Sequence, residues 1–221
     1  MIFRRRRPTE PTDPASVEEP DVFAELETDR PRGPWDRSET TADEDDDAYV
    51  DLGGLVVRGR EGLELRLQVD EKTGAVATVM LAGSESGLEL RVFAAPRNEG
   101  IWADVRKDVA AEAARRGGTA TEMDGEFGTE VKVVMPVQTP DGRRATQPSR
   151  IVGVEGPRWL LRGSFLGKSA GEADPDGLVE SAFRDVIVVR GDGPMSPRET
   201  LQLHMPAKIH QQLDPASDDE H

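Results

Sequence analysis

The sequence predicts an α+β fold: an antiparallel sheet in β-β-β-α-β-β-β-α order with helices packed on it, behind a disordered acidic N-terminal tail. Short stretches of alternating apolar and polar residues, separated by glycine-containing turns, predict the strands. Two stretches with apolar residues three or four positions apart predict the helices. Because the strands follow one another through short turns, we expect antiparallel pairing rather than the parallel sheet of a nucleotide-binding fold.

Three strands open the folded part of the chain. Residues 63–69 alternate and leave one wet face, residues 75–82 are more continuously apolar and indicate a central strand, and residues 88–94 alternate again. The turns at residues 70–74 and 83–87 are short, so this group is predicted to be an antiparallel meander.

A helix follows the meander, and three more strands and a second helix come after it. Asn98 is the predicted N-cap of the first helix, whose apolar face comprises Ile101, Trp102, Val105 and Val109. The later strands are predicted at residues 131–137, 150–154 and 159–166. The second helix is predicted to begin at residues 174–176, with an apolar face made of Leu178, Val179, Ala182, Phe183 and Val186.

The chain divides into three predicted parts. Residues 1–47 hold seven basic residues, fifteen acidic residues and six prolines. Such a segment buries too little apolar surface to offset its chain entropy, so we expect a disordered tail. Residues 48–191 form the predicted α+β domain. Residues 192–221 are predicted to be a C-terminal extension that docks through Leu201, Leu203 and Met205 and then frays.

The composition excludes several classes of function. The chain has 43 acidic and 28 basic residues and a formal net charge of -15, which repels nucleic acids and anionic membranes. The absence of cysteine excludes disulfides and cysteine-ligated metal sites. No apolar run approaches the roughly 18 residues that a spanning helix needs. The N-terminus lacks a secretion signal, so we expect a cytoplasmic protein.

Side chains suited to catalysis are scarce. His204, His210 and His221 are the three histidines, and all lie in the C-terminal extension, outside the predicted core. A serine triad or a histidine-ligated zinc site needs a histidine held beside a pocket. The acidic residues are so abundant that no two of them can be singled out as a catalytic acid and base. The sequence therefore predicts no catalytic residue, no metal site and no cofactor.

The stretch WLLRGSFLGKSAG (residues 159–171) is similar to a phosphate-binding loop in its Gly-Lys-Ser at residues 167–169. The loop pattern needs a glycine where the chain has Arg162, and its glycine comes one residue later. A phosphate loop also leads directly into a helix, whereas residues 170–175 predict a loop. Two cations remain as candidate contacts for an anion, Arg162 and Lys168.

Residues 47–206 resemble an uncharacterised actinobacterial family, domain-of-unknown-function family 3710. The residues that carry the resemblance are LGGL (52–55), FAAPR (93–97), Trp102 with the helix behind it, RWLLRG (158–163) and residues 194–203. The resemblance implies no activity and no site residues. More remotely, a Trp/Leu strand that ends in Gly-Ser before a Phe-containing helix is similar to PsbP-like domains. That likeness implies an antiparallel sheet between helices and a role in binding or assembly.

Three functions are compatible with these features. The first is a non-catalytic intracellular module that binds a protein partner or assists assembly, with Phe23 and Trp35 as candidate contacts. The second is a domain that binds a small anion or other ligand, or an enzyme, and that uses Arg162 and Lys168. The third is a nucleic-acid accessory protein that acts through the four arginines Arg4, Arg5, Arg6 and Arg7. The sequence favours the first, because catalytic residue types are missing and the tail holds aromatic residues.

Overall fold

The computed structural model describes residues 32–40, 48–70, 75–98 and 100–206 of the chain. In chain order the elements are β1 (Trp35–Asp36), a 3-10 turn (Arg37–Glu39), β2 (Tyr49–Asp51), β3 (Leu55–Arg58), β4 (Glu64–Val69), β5 (Val76–Ala82), β6 (Ser86–Ala94), α1 (Trp102–Arg115), β7 (Thr119–Gly125), β8 (Gly128–Gln138), β9 (Arg144–Gly156), β10 (Trp159–Gly167), α2 (Lys168–Gly171), α3 (Leu178–Arg184) and β11 (Ile187–Val188). None of the helices in these residues has the length and apolar character needed to cross a membrane.

Seven strands form the main sheet in the order β4-β5-β6-β10-β9-β8-β7, and every neighbouring pair is antiparallel. The α+β class and the antiparallel sheet predicted from the sequence are confirmed. The predicted meander corresponds to β4, β5 and β6. Strand β7 was missed, because it is a sheet edge whose side chains are mostly exposed and do not alternate.

A smaller sheet has the order β1-β11-β3-β2, in which β1 and β11 run parallel and the other pairs antiparallel. The sequence did not predict it, because strands of two to four residues are too short for alternation to be recognised.

The main sheet has an apolar core on each face. The small sheet and α3 pack on one face and form the large core, and α1 packs on the other face and forms the helix core. Strand β10 contributes to both, because successive side chains point to opposite faces of a sheet. Trp159, Leu161 and Phe165 enter the large core, and Leu160 enters the helix core.

Residues 32–40 lie on the small sheet, so the structure differs here from the predicted tail, which extends through residue 47. Trp35 pairs with Ile187 across β1 and β11 and is half-buried. The buried carboxylate of Asp36 accepts the indole N–H of Trp159, with 2.7 Å between the two atoms. A buried indole needs such an acceptor, and the charge pattern of this segment does not reveal that it supplies one.

The C-terminal extension packs along the domain. Leu201 and Leu203 are buried in the large core, and the backbone N–H of Val76 donates to the carbonyl of Leu203 at 3.1 Å. His204 is exposed, and residues 207–221 lie outside the described residues.

A buried ion network joins the main sheet to α2 and α3. The guanidinium of Arg150, on β9, donates to Glu130 of β8 at 3.1 Å and to Glu180 of α3 at 2.5 Å. Its Nε donates to the carbonyl of Ser169 in α2 at 3.0 Å. The guanidinium also lies 4.1 Å from the ring centroid of Phe165. All three charged side chains are at most 3% exposed, so one cation compensates two carboxylates that water does not reach.

Replacing Arg150 with Met leaves Glu130 and Glu180 buried without their cation. We expect the free energy of unfolding to fall by about 3–5 kcal/mol, measured by urea denaturation. Arg150→Lys keeps the charge but loses the forked donor geometry, and should lose less. The matched control is Arg143→Met, whose ion pair with Asp141 is exposed, and which should change stability by less than about 0.5 kcal/mol. A loss below about 1 kcal/mol for Arg150→Met would contradict the role given to this network.

Candidate functional site: a cleft beneath helix α1

Helix α1 is seated on the main sheet by its first residue. The ring of Trp102 lies so close to Gly153 of β9 that a Cβ atom at that position would overlap it. The indole N–H of Trp102 donates to the carbonyl of Thr129 at 2.8 Å. Only glycine leaves room for the ring here, so this contact sets where the helix begins and how near it lies to the sheet.

The N-terminus of α1 is capped from the sheet. The carboxylate of Glu155, on β9, accepts the backbone N–H groups of Ile101 and Trp102, the latter at 2.9 Å. The first N–H groups of a helix have no acceptor within it, and a negative charge is favourable at that end. The prediction of Asn98 as the N-cap is wrong, because the acceptor comes from a strand that is distant in sequence.

A cleft of about 540 Å³, here called the α1 cleft, lies between this helix and the main sheet. Its wall is one face of α1, because the lining residues recur every three or four positions from Ile101 to Arg116. A helix of this length spans about 21 Å, so the cleft is elongated. The floor is formed by side chains of β6, β10, β9 and β8, namely Phe93, Arg162, Ser149, Ile151, Val133 and Met135.

The lining combines aliphatic side chains with arginines. Val105, Val109, Met135 and Ile151 pack on the helix core but are only half-buried, so apolar surface faces the cleft. The charged lining residues are Asp108, Glu112, Arg115, Arg116, Arg162 and Arg198. Four cations against two acids make the cleft locally basic, in a chain whose net charge is -15.

Arg162 is the cation of the floor, and its side chain is partly buried. Its Nε is shielded from solvent and has no hydrogen-bond acceptor among the described residues. The guanidinium lies 5.7 Å from the ring centroid of Phe93. Burial lowers the pKa of Arg162, and the nearby charge of Arg91 lowers it further, whereas Glu89 opposes the shift. One N–H donor of Arg162 is therefore held out of water without an acceptor, in a side chain that is only partly buried.

Most other charges of the cleft are paired. Arg198, from the C-terminal extension, donates to Asp108 of α1 at 2.9 Å and so ties the extension to the helix. Arg115 donates to Glu112, and this hydrogen bond holds the pKa of Glu112 below its ordinary value. Arg116 lies at the same end of α1 and forms no ion pair with any residue that the structure describes.

The two predicted anion contacts are not brought together. Arg162 lines the α1 cleft, whereas Lys168 is exposed at the first position of α2. About 20 Å of extended chain separates the two positions. The prediction that a loop rather than a helix follows the Gly-Lys-Ser stretch is wrong in part, because β10 leads directly into α2 at Lys168. Helix α2 has only four residues, however, and β10 pairs antiparallel on both sides. The stretch therefore lacks the parallel strand and the long helix of a phosphate-binding loop.

Of the two predicted partner contacts, the structure describes Trp35 alone. Trp35 is half-buried in β1. Phe23 and the arginines at residues 4–7 lie outside the described residues.

Sequence reasoning missed Arg116, Arg198 and the cleft itself. The pair Arg115-Arg116 is typical of a helix end, and residue 198 follows a proline-containing loop, so neither pattern shows that these side chains border a cavity. One signal was present in the sequence. Arg162 lies two residues after Leu160 on a strand that is otherwise apolar at this end, so the two side chains point to the same face of the sheet. That alternation placed a charge on a covered face of the sheet.

Comparisons with known proteins identify the family but no activity. Residues 33–212 match the model of a family described as "Protein of unknown function (DUF3710)". No curated protein matches the sequence. The solution structure of cyanobacterial PsbP (CyanoP) from Synechocystis sp. PCC 6803 is similar, with a TM-score of 0.35 and 11% sequence identity over 61% of this chain and 86% of that chain. A likeness of that extent carries no argument about function.

Replacing Gly153 with Ala should displace Trp102 and loosen the seat of α1. We expect a loss of about 1–3 kcal/mol in the free energy of unfolding, because the added Cβ overlaps the buried ring of Trp102. Urea denaturation followed by tryptophan fluorescence measures it. Gly171→Ala is the matched control, since nothing lies near a Cβ there and the change should stay within about 0.5 kcal/mol. Equal stability of the two variants would show that the packing of Trp102 against Gly153 does not hold α1 in place.

Replacing Arg162 with Met should stabilise the ligand-free protein. The substitution removes a largely buried charge that has no ion-pair partner among the described residues and keeps an unbranched side chain of similar length. We expect the free energy of unfolding to rise by about 1 kcal/mol, measured by urea denaturation without added ligand. Arg91→Met, on the neighbouring strand, removes an exposed and paired arginine and should have little effect. A marked loss of stability in Arg162→Met would mean that the guanidinium is already satisfied.

Proposed function

We propose that this chain, which belongs to domain-of-unknown-function family 3710, binds a small organic anion in the α1 cleft. The observation that carries the proposal is the buried Nε of Arg162, which has no acceptor among the described residues. A buried donor without a partner costs about 1–3 kcal/mol, and more when it is charged. Because the side chain as a whole is only partly buried, a ligand carboxylate or phosphate in the cleft can accept from this guanidinium and compensate its charge.

The surroundings of Arg162 strengthen the interaction with an anion. A guanidinium presents forked N–H donors that match a carboxylate or phosphate in two parallel hydrogen bonds. Partial exclusion of water lowers the effective dielectric constant, so the same charge pair is stronger here than at the surface. The cleft volume, about 540 Å³, falls within the range of roughly 300–1,000 Å³ that is usual for small-molecule sites.

The lining supports binding rather than catalysis. Ser149 is the only hydroxyl among the described lining residues, and no histidine is among them. Asp108 and Glu112 are each paired with an arginine. These lining side chains place no nucleophile beside a base and no unpaired acid beside a base. The non-catalytic role favoured by the sequence is therefore part of the proposal.

Binding of a protein partner through Phe23 and Trp35 stays a prediction. Half-burial of Trp35 in β1 removes the argument that it is a freely exposed aromatic anchor, and this is why we rank the cleft first. A cytoplasmic location, an actinobacterial source and contact of the four N-terminal arginines with nucleic acid also stay predictions.

Thermal unfolding of the full-length protein with a panel of anions tests the proposed function. The panel contains acetate, benzoate, decanoate, phosphate and a nucleoside monophosphate. At ten times its Kd, a bound anion should raise the Tm by about 3 °C. Lys168→Ala is the control and should respond like the wild type, whereas Arg162→Met should respond less than the wild type to every anion and not at all to acetate and phosphate. The proposal is wrong if no anion raises the Tm, or if Arg162→Met responds fully.

A further inference from the structure

Resting on the proposed function, we infer that the ligand of the α1 cleft is a linear aliphatic monocarboxylate. Its carboxylate binds Arg162 and its chain lies along α1. Three features of the cleft select this class: the number of free cations on the floor, the aliphatic character of the lining and the elongated shape.

The charge of the head group follows from the floor. Arg162 is the arginine on the sheet side of the cleft, and it can neutralise one negative charge. On the opposing wall, Asp108 and Glu112 are each paired with an arginine, and Arg116 is exposed at the C-terminal end of α1. A doubly charged phosphate would leave one charge uncompensated in a partly dehydrated site, which is costly. A single carboxylate is matched by one guanidinium, in the bidentate geometry that this pair prefers.

The chemistry of the ligand body follows from the half-buried residues of the lining. Val105 and Val109 on the wall face Ile151 and Met135 on the floor, and each of the four retains exposed surface. These side chains are aliphatic or a thioether, and a methionine adapts its shape to what it contacts. An apolar chain that covers them gains about 0.8 kcal/mol for each methylene removed from water, a factor of about four in affinity.

The shape of the cleft favours a linear chain over a compact ring system. Only Trp102 and Ala113 of α1 are buried, one near each end of the helix. The half-buried Val105 and Val109 lie between them and line the cleft along the middle of the helix. The basic lining also attracts anions to a chain that otherwise repels them, and this favours an acid over the corresponding alcohol.

Isothermal titration calorimetry of the full-length protein tests the inference. The probes are acetate, hexanoate, octanoate and decanoate, with decanol and decyl phosphate as the neutral and phosphorylated analogues, all kept below micelle-forming concentrations. We expect the affinity to rise about fourfold per added methylene, until the aliphatic chain fills the α1 cleft. Decanol should bind at least about tenfold more weakly than decanoate, since it lacks the charge-assisted hydrogen bonds. Decyl phosphate should also bind more weakly than decanoate.

Two variants separate the head group from the body. Arg162→Met should bind decanoate and decanol equally, because only the carboxylate uses Arg162. Val109→Gln places an amide in the α1 cleft. It should weaken the dependence of affinity on chain length while keeping the preference for decanoate over decanol. Far-ultraviolet circular dichroism of each variant confirms the fold, and the wild-type series decides the inference by itself.

The outcomes distinguish this inference from the proposed function. If acetate binds through Arg162 as tightly as decanoate, the protein binds anions, but the inference that the ligand has an aliphatic chain is wrong. If decyl phosphate binds more tightly than decanoate, the monocarboxylate is wrong and the anion site stands. If decanol matches decanoate in the wild type, or if no probe binds and no anion of the thermal panel raises the Tm, both are wrong.

Discussion

The buried guanidinium of Arg150 is the interaction on which the arrangement of the domain depends. It lies between Glu130 on β8 and Glu180 on α3, and it also donates to a carbonyl of α2. A charge that is removed from water is costly unless an opposite charge is beside it, so each of these elements supports the stability of the others. This requirement fixes α2 and α3 on one face of the main sheet and leaves the opposite face to α1.

The opposite face is organised by contacts at the ends of α1, and this is why a cleft exists there. Trp102 occupies the space left by Gly153, and the Glu155 carboxylate caps the helix from β9. Near the other end Ala113 is buried, and the residues between are only half-buried. The residues between the two ends line the cleft. Arg162 lies on its floor, where burial of its Nε without an acceptor costs stability.

The strands of the meander, the later hairpin strands and the two longer helices could be predicted, because alternation and helical spacing are local signals. The small sheet, β7 and the placement of residues 32–40 could not, because they depend on short segments that pair with distant ones. Asp36 is an example: it lies in an acidic segment, yet it is the acceptor of a buried indole. Arg162 was predicted as an anion contact and lines the cleft, but Lys168, the second predicted contact, lies elsewhere on the surface.

By itself, the sequence determined the α+β class, the antiparallel pairing, the absence of a cysteine-based site and the candidacy of Arg162, because each follows from residue type and short-range periodicity. The tertiary structure decided which charges are buried, which are paired, and that a strand arginine and a helix face enclose one elongated cleft. Those properties depend on which distant residues share a space. Alternation shows that Arg162 points to a covered face, but only the seat of α1 on Gly153 and Glu155 decides that this face is a cleft rather than a filled core.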